Sequence, residues 1–180
     1  MIDRRKALVL LLVSTLAACG TTVKRPDGGS GLLPVGSVAP EVTAEDAKGQ
    51  PVSLHDHKGK PVVVYFYPAD DTPGCTKEAC AFRDVWKKYE KAEVLVIGVS
   101  TNDNEKHRAF RKKHNLPFAL SADTDGIAGK AYGVPKTVFG YDRVTFLVAG
   151  DGRVAKMWPQ VDPGVHAEEV LKAASVSDVR

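Results

Sequence analysis

The sequence predicts one α/β domain, and two observations indicate it. Residues 61–67 (PVVVYFY) and 94–100 (VLVIGVS) are apolar runs too short for helices and rich in β-branched and aromatic residues, which is typical of strands buried on both faces. Between them, residues 76–91 place apolar side chains at helical spacing: Ala79, Phe82, Val85, Trp86 and Tyr89. Strand, helix and strand form a βαβ unit, whose strands are parallel and whose crossover is right-handed.

The remaining elements extend this unit toward the C-terminus. Asn102 or Asp103 can cap a second helix, and the Asp-Gly pair within residues 149–152 is typical of a tight hairpin turn. This order of elements is compatible with a thioredoxin-like sheet, although the pattern alone leaves other α/β folds open. In chain order we expect a helix to about His114, a strand at 116–121, a helix at 127–132, a hairpin of 143–148 and 153–158, and a helix at 165–174.

Composition excludes several classes of protein without indicating a function. The chain has 180 residues, of which 43% are hydrophobic, 26% charged and 7% aromatic, so collagen-like, coiled-coil and wholly disordered chains are excluded. The net charge is +3. We interpret the basic residues of the second helix as a solvated face and expect no nucleic-acid partner; they are Lys106, Arg108, Arg111, Lys112 and Lys113.

The first twenty residues resemble a targeting segment. Arg4, Arg5 and Lys6 precede an apolar stretch that is shorter than the roughly 18 unbroken apolar residues of a membrane span, so a secretory signal fits better. Residues 16–19 (LAAC) resemble the lipobox of bacterial lipoproteins, in which the chain is cleaved before the cysteine and the cysteine is acylated. We therefore expect a signal peptide at 1–18 and lipidation of Cys19. The alternative is an ordinary signal peptide cut nearby.

This leader predicts the organisation and location of the chain. Residues 19–35, rich in Gly, Pro, Thr and Ser, are expected to be a lipid-anchored flexible linker, followed by the domain at 36–180. The protein would face the periplasm from a membrane of a bacterial cell envelope, and Gly20 in place of an aspartate favours the outer membrane. Removal of residues 1–18 takes away three basic residues and one acidic residue, which leaves a net charge of +1.

The chemistry of the chain is concentrated at residues 68–80 (PADDTPGCTKEAC). Cys75 follows a strand-to-helix loop and begins a helix, where unpaired backbone N–H groups and the helix dipole favour a thiolate nucleophile. Thr72 places a hydroxyl in the same loop. The acidic residues Asp70, Asp71 and Glu78 oppose the thiolate, so a nearby cation is required. Within this segment only Lys77 is one.

Cys80 lies five residues after Cys75 on the same predicted helix. At about 2.3 Å radius and about 1.5 Å rise per residue, the two Cα atoms are roughly 8.7 Å apart. A disulfide needs Cα atoms within about 7 Å of each other, so these cysteines can bond only if the start of the helix unwinds.

These residues resemble the peroxiredoxin active-site signature. The run of Pro68, Thr72 and Cys75 at spacings of four and three matches it, and residues 72–80 (TPGCTKEAC) are similar to the peroxiredoxin Q branch, also called bacterioferritin comigratory protein. The resemblance extends from about Gly36 to the C-terminus. It implies an α/β thioredoxin-like fold, a central mixed sheet flanked by helices.

The resemblance also implies a role for each site residue. Cys75 would be the peroxidatic cysteine and Cys80 the resolving one, forming an intramolecular disulfide. Arg143 matches the active-site arginine and would supply the required cation, while Pro68 and Thr72 match the peroxide pocket. Glu78 matches a supporting polar position. The implied activity is reduction of hydrogen peroxide or organic hydroperoxides, with a thioredoxin-like protein as reductant and no metal, haem or flavin. We expect a monomer.

Two other functions would require a different cysteine spacing. A thioredoxin-like thiol–disulfide oxidoreductase normally carries Cys-x-x-Cys, whereas four residues separate Cys75 from Cys80. A copper-handling lipoprotein without enzymatic activity would need cysteines three residues apart and a distant histidine ligand. Neither spacing matches this chain.

Overall fold

The computed structural model describes residues 22–176, in which strands and helices alternate around one main sheet. The strands are β1 (Thr43–Glu45), β2 (Pro51–Ser53), β3 (Val62–Phe66), β4 (Leu95–Ser100), β5 (Ala119–Ala122), β6 (Lys136–Thr137), β7 (Gly140–Tyr141), β8 (Val144–Val148) and β9 (Val154–Trp158). The helices are α1 (Pro73–Asp84), α2 (Trp86–Lys91), α3 (Asn104–His114), α4 (Ile127–Tyr132) and α5 (His166–Ala174).

Seven strands form a mixed sheet in the order β2-β1-β5-β4-β3-β8-β9. The central strands β3, β4 and β5 are parallel, whereas β8 pairs antiparallel with β3 and places Val144 opposite Phe66. The predicted βαβ unit, the β8–β9 hairpin and the mixed sheet flanked by helices are confirmed. β6 and β7 form a separate two-stranded ribbon.

β3 is buried on both faces because it separates two hydrophobic clusters. Val63 and Tyr65 point into the cluster that contains the buried residues of α1, α2, α3 and α5. Val64 and Phe66 point into the other cluster, together with Tyr132 of α4 and Tyr141 of β7. This alternation explains why the strand is a continuous apolar run.

The long helix predicted at residues 76–91 is two helices. Val85 has φ −105° and ψ 12°, which ends α1 and starts α2 in a new direction. The turn brings Tyr89 into the core, where its hydroxyl donates to the Ala167 carbonyl (2.7 Å). Phe82 stays in the core at the end of α1, stacked on Tyr65 with ring centroids 5.0 Å apart.

The prediction that the basic residues of α3 all face solvent is wrong for Arg111. Asp103 caps this helix as expected, since its carboxylate accepts from the Lys106 amide (2.8 Å). Arg111, however, is buried and bonds the Glu45 carboxylate (2.6 Å) and the Asp46 carbonyl (2.5 Å). The reason is that β1, which the sequence pattern did not predict, lies beside this helix face.

The segment before β1 packs against the domain over its described part, residues 22–35, and so differs from the expected flexible linker. The guanidinium of Arg25 is buried and donates to the carbonyls of Ser30 (3.2 Å), Gly31 (2.7 Å) and Leu32 (3.2 Å). Leu33 is also buried and its amide donates to the Tyr132 carbonyl at the end of α4 (2.9 Å). One buried side chain thus bonds three successive carbonyls, which holds the segment in a closed turn.

Cys19 and the expected signal peptide lie outside the described residues. Within residues 22–176, no helix is long and apolar enough to cross a membrane.

Candidate active site

Cys75 lies in the first turn of α1, directly after the loop that leaves β3. Thr72 occupies the N-cap position with extended backbone (φ −75°, ψ 148°), and Pro73 begins the helix, where a missing N–H costs nothing. The thiol is 1% exposed and its sulfur faces the core side of the helix start. Cys75 therefore lies at a helix N-terminus, the position that the sequence predicts for it.

Arg143 brings the required cation to this thiol. Its Nη2 donates to Cys75 Sγ at 3.1 Å, and its Nη1 donates to Glu78 Oε2 at 2.6 Å. Arg143 precedes β8, whose Val144 pairs with Phe66 at the end of β3, so the sheet register brings the guanidinium to the loop after β3. A guanidinium that donates to sulfur stabilises the thiolate by a charge-assisted hydrogen bond.

Gly74 allows the guanidinium to approach the helix start this closely. A Cβ at this position would lie 2.8 Å from Arg143 Nη2 and 3.5 Å from Cζ. Any larger residue would therefore compete with the arginine for the space beside the thiol.

Glu78 fixes the other side of the guanidinium and is itself strongly perturbed. Burial raises the pKa of Glu78 to about 7, against the opposing effect of the Arg143 charge and hydrogen bond. Its second oxygen, Oε1, is buried without a hydrogen-bond partner among the described residues. Burial also opposes the charge on Arg143, but the Glu78 and Cys75 charges outweigh it, so the pKa of Arg143 is raised.

Pro68 and Thr72 lie in the loop between β3 and α1, as expected. The Thr72 hydroxyl donates to the Ala69 carbonyl at 3.1 Å, which leaves its oxygen lone pairs as acceptors. The Pro68 carbonyl packs directly against Gly140 of β7, since a Cβ on this glycine would lie 1.9 Å from it. Gly140 has φ +109°, a conformation that L residues rarely adopt.

Cys80 is on α1 but apart from the Cys75–Arg143–Glu78 cluster. Both described cysteines carry free thiols; Cys80 is half-buried, on the flank of the helix rather than its core face. The Asp84 hydrogen bond raises the pKa of Arg83, the residue three positions after Cys80. The intact helix keeps the two cysteines at i and i+5, as the sequence predicts.

The aspartates of the loop do not face the thiol. Asp71, with φ 59°, accepts from Lys113 Nζ (2.8 Å) and pairs with His114 Nε2 (3.0 Å). These two bonds hold the pKa of Asp71 below its usual range. Lys77, the local cation of the sequence, points away instead and lies 4.0 Å from Asp162.

Asp70 belongs to a buried network that sequence reasoning missed. Its carboxylate accepts from the Tyr67 hydroxyl (2.7 Å) and from His107 Nδ1 (2.8 Å), while His107 Nε2 lies 3.1 Å from the Ser121 carbonyl. Both ring nitrogens lie within hydrogen-bond distance of an oxygen, so the imidazole bridges the loop carboxylate and the Ser121 carbonyl. The Asp70 amide also donates to Asn102 Oδ1 (2.8 Å). The network holds the active-site loop onto β4 and α3.

The spacing of residues in α3 indicates that His107 is buried. α3 contains few apolar residues, and His107 precedes the buried Phe110 by three positions and Arg111 by four. Residues at this spacing share one helix face. The core face of α3 therefore had to include a histidine.

The thiol lies near a surface cleft. A cavity of ≈ 480 Å³ is lined by Arg143 together with Asp142, Pro159, Gln160 and Val161. This cleft gives solvent access to the guanidinium that contacts Cys75.

Comparisons with known proteins agree with this geometry. The AhpC/TSA family model matches residues 35–157. Chloroplastic peroxiredoxin Q of Sedum lineare is 49% identical over 140 residues, covering 76% of this chain and 75% of that protein. The putative peroxiredoxin bcp of Coxiella burnetii is 44% identical over 146 residues, covering 77% of this chain and 97% of that protein.

The fold is shared with solved peroxiredoxin structures. The bacterioferritin comigratory protein of Xanthomonas campestris, described for its alkyl peroxide reduction activity, superposes with a TM-score of 0.70 at 30% identity. The match covers 80% of this chain and 96% of that one. The predicted thioredoxin-like fold is thus confirmed. The chain belongs to the AhpC/TSA family and is a peroxiredoxin similar to the peroxiredoxin Q group, a thiol-dependent peroxidase.

Proposed function

We propose that Cys75 is the peroxidatic cysteine and that Arg143 is the residue that activates it. The observation that carries this proposal is the guanidinium that bonds both Cys75 Sγ (3.1 Å) and Glu78 Oε2 (2.6 Å). The thiolate attacks one oxygen of a hydroperoxide, the O–O bond breaks, and the second oxygen leaves with a proton as water or an alcohol. Cys75 is oxidised to a sulfenic acid. The Thr72 oxygen, an acceptor in the same loop, orients the O–H of the peroxide.

Cys80 resolves this sulfenic acid. Its thiol attacks the Cys75 sulfur, water leaves, and an intramolecular disulfide forms. Because the cysteines are five residues apart on α1, the first turns of the helix unwind in this step. A thioredoxin-like dithiol protein then reduces the disulfide by thiol–disulfide exchange.

The substrates are hydrogen peroxide and organic hydroperoxides. The similarity to the Xanthomonas campestris protein with alkyl peroxide reduction activity supports an organic substrate. The apolar surroundings of the site, where Cys75 lies beside the buried Ala79, are compatible with an alkyl group.

The location follows from the leader. Cleavage before Cys19 and acylation of that cysteine anchor the mature chain, as a monomer, to a membrane of the cell envelope, with the outer membrane favoured. Two or more acyl chains anchor stably, whereas one alone is marginal.

The experiment that tests the mechanism follows oxidation by intact mass. Reduced protein treated with one equivalent of hydroperoxide should lose the mass of two hydrogens as the disulfide forms. Cys75→Ser should abolish peroxide consumption. Cys80→Ser, the matched control on the same helix, should consume one equivalent and retain a sulfenic or more highly oxidised Cys75.

The outcomes separate this function from the alternatives. Full peroxide consumption by Cys75→Ser refutes the assignment of the peroxidatic cysteine. A thiol–disulfide oxidoreductase would form the disulfide with a dithiol partner but not with peroxide. A copper-handling protein would bind Cu(I) through both cysteines and consume no peroxide.

A further inference from the structure

The most exposed apolar side chains of the described chain are at one hairpin tip. Val138 and Phe139 connect β6 to β7 and are 94% and 81% exposed. We call these two residues the hairpin tip. Adjacent and almost fully exposed, they form an apolar surface whose transfer out of water would be favourable.

The hairpin tip lies beside the active-site loop. Gly140, the residue after Phe139, packs against the Pro68 carbonyl so closely that a Cβ would lie 1.9 Å from it. Pro68 begins the loop that leads to Cys75. Whatever covers the hairpin tip therefore comes close to the peroxidatic thiol.

The N-terminal segment packs against the C-terminal end of α4, from which the chain continues into the hairpin. The Gly31 carbonyl lies against Gly133, where a Cβ would be 1.9 Å from it, and the Gly31 amide donates to the Val23 carbonyl (2.8 Å). The chain thus reaches Thr22 next to the end of α4. β6 begins three residues after Gly133, so the hairpin starts close to the end of α4 against which the N-terminal segment packs.

The distance between Cys19 and the folded domain is therefore short. Three residues lead from Cys19 to Thr22, and three residues span at most about 11 Å. A lipid on Cys19 would hold this end of α4 within about that distance of the membrane surface, rather than at the end of a long linker. Lys24, Lys130 and Lys136, in the N-terminal segment, α4 and β6, are exposed, and their charges suit anionic lipid headgroups.

We infer that the hairpin tip inserts into the membrane to which Cys19 is anchored and thereby presents the Cys75 loop to hydroperoxides of membrane lipids. This inference rests on the proposed function and on acylation of Cys19. Val138 and Phe139 follow Lys136 closely in the chain, and apolar side chains next to a basic one suit the boundary between lipid headgroups and acyl chains.

Fluorescence quenching tests the insertion directly. The full-length lipidated chain is reconstituted in vesicles of phosphatidylethanolamine and phosphatidylglycerol with brominated acyl chains, with Phe139→Trp compared to the parent chain. The added tryptophan should lose more than about half of its emission, since apolar residues of an interfacial surface lie about 5–10 Å into the boundary. Val38→Trp is the matched control, because Val38 is 60% exposed but pairs with Arg153 at the far end of the sheet. It should not be quenched.

Turnover in the same vesicles tests the substrate. The double variant Val138→Ser/Phe139→Ser should consume a phospholipid hydroperoxide about tenfold more slowly, since it loses the apolar contact area. Hydrogen peroxide, which needs no docking, should be consumed at an unchanged rate. Val38→Ser should match the parent chain with both peroxides.

Each contrary result overturns the inference. In the vesicle experiments these results are an unquenched Phe139→Trp or a mature chain whose mass shows no lipid on Cys19. Self-association of the chain that the double variant abolishes would identify the hairpin tip as a contact between two copies. Equal slowing of turnover with both peroxides would identify it as the docking site of the reductant. The quenching does not depend on catalysis. A chain that is quenched but consumes no peroxide refutes the proposed function and leaves the docking surface supported.

Discussion

Replacing Gly74 by alanine adds one methyl group beside the guanidinium that contacts Cys75, without changing any charge. The new Cβ would lie 2.8 Å from Arg143 Nη2, whereas ordinary contact begins near 3.4 Å, so the guanidinium must move by about 0.6 Å. The 2.6 Å bond from Nη1 to Glu78 Oε2 resists a rotation of the whole group. The movement therefore lengthens the 3.1 Å contact between Nη2 and Cys75 Sγ.

The size of the effect follows from the strength of that contact. A hydrogen bond to a charged group contributes about 1.5–3 kcal/mol, and losing most of it costs about 1–2 kcal/mol of thiolate and transition-state stabilisation. That corresponds to a roughly five- to thirtyfold slower reaction of Cys75 with peroxide. Fold stability should not fall, since alanine in a helix is favoured over glycine by about 0.5–1 kcal/mol.

The assay is the second-order rate of sulfenic acid formation, measured by rapid mixing with hydrogen peroxide and intact mass. Gly164→Ala is the matched control, because its Cβ would also lie 2.8 Å from a cationic group, Lys77 Nζ. Lys77 is 65% exposed and free to move away, so this variant should react like the parent chain. If Gly74→Ala, folded and of unchanged thermal stability, reacts within about twofold of the parent, the argument that the guanidinium contact sets the rate is refuted.

Three further predictions concern the surroundings of the thiol. Burial raises the pKa of Glu78 from 4.5 to about 7, so the folded chain keeps a proton that the unfolded chain releases, and the free energy of unfolding should fall by about 3 kcal/mol as pH rises through this interval. In Glu78→Gln, the free energy of unfolding measured with urea should change less with pH over this interval. An unchanged dependence on pH would contradict the raised pKa of Glu78. His107→Leu removes the hydrogen bond to the buried carboxylate of Asp70 and should lower the unfolding free energy by about 1–3 kcal/mol, whereas a loss below about 0.5 kcal/mol would show that the pair is not buried in solution. Oxidation to the disulfide should raise amide hydrogen exchange across residues 76–83 and leave α2 protected, and uniform protection would refute unwinding.

The fold was largely predictable from its longest elements. β3, β4 and β8 are continuous apolar runs because the sheet is covered on both faces, and such runs are visible without any tertiary information. β1, β2, β6 and β7 are two or three residues long and carry no apolar run, so only pairing partners elsewhere in the chain make them strands. The break at Val85 was likewise missed, because the helical spacing of apolar residues continues through it.

Part of the site could likewise be predicted from neighbouring residues, and part depends on residues distant in the sequence. The position of Cys75 at a helix start and the need for a cation follow from residues 68–80, but the cation present there, Lys77, turns away toward Asp162. Arg143 is 68 residues distant, and only the register of β8 on β3 brings it to the thiol. From the sequence, Arg143 came from family resemblance rather than from the residues themselves.

The division of α1 from α2 suits the unwinding at one end that the proposed disulfide requires. The turns that carry Cys75 and Cys80 bury only small apolar side chains, such as Ala79, and a Glu78 carboxyl that burial disfavours. Exposing such groups costs little compared with a large side chain, which contributes about 1.5–3 kcal/mol when buried. The last turn is held differently: Phe82 is stacked on Tyr65, and Arg83 donates to the His114 carbonyl at 2.8 Å. The anchors lie beyond Cys80, so the part of the helix between the two cysteines can open while α2 and the core remain packed.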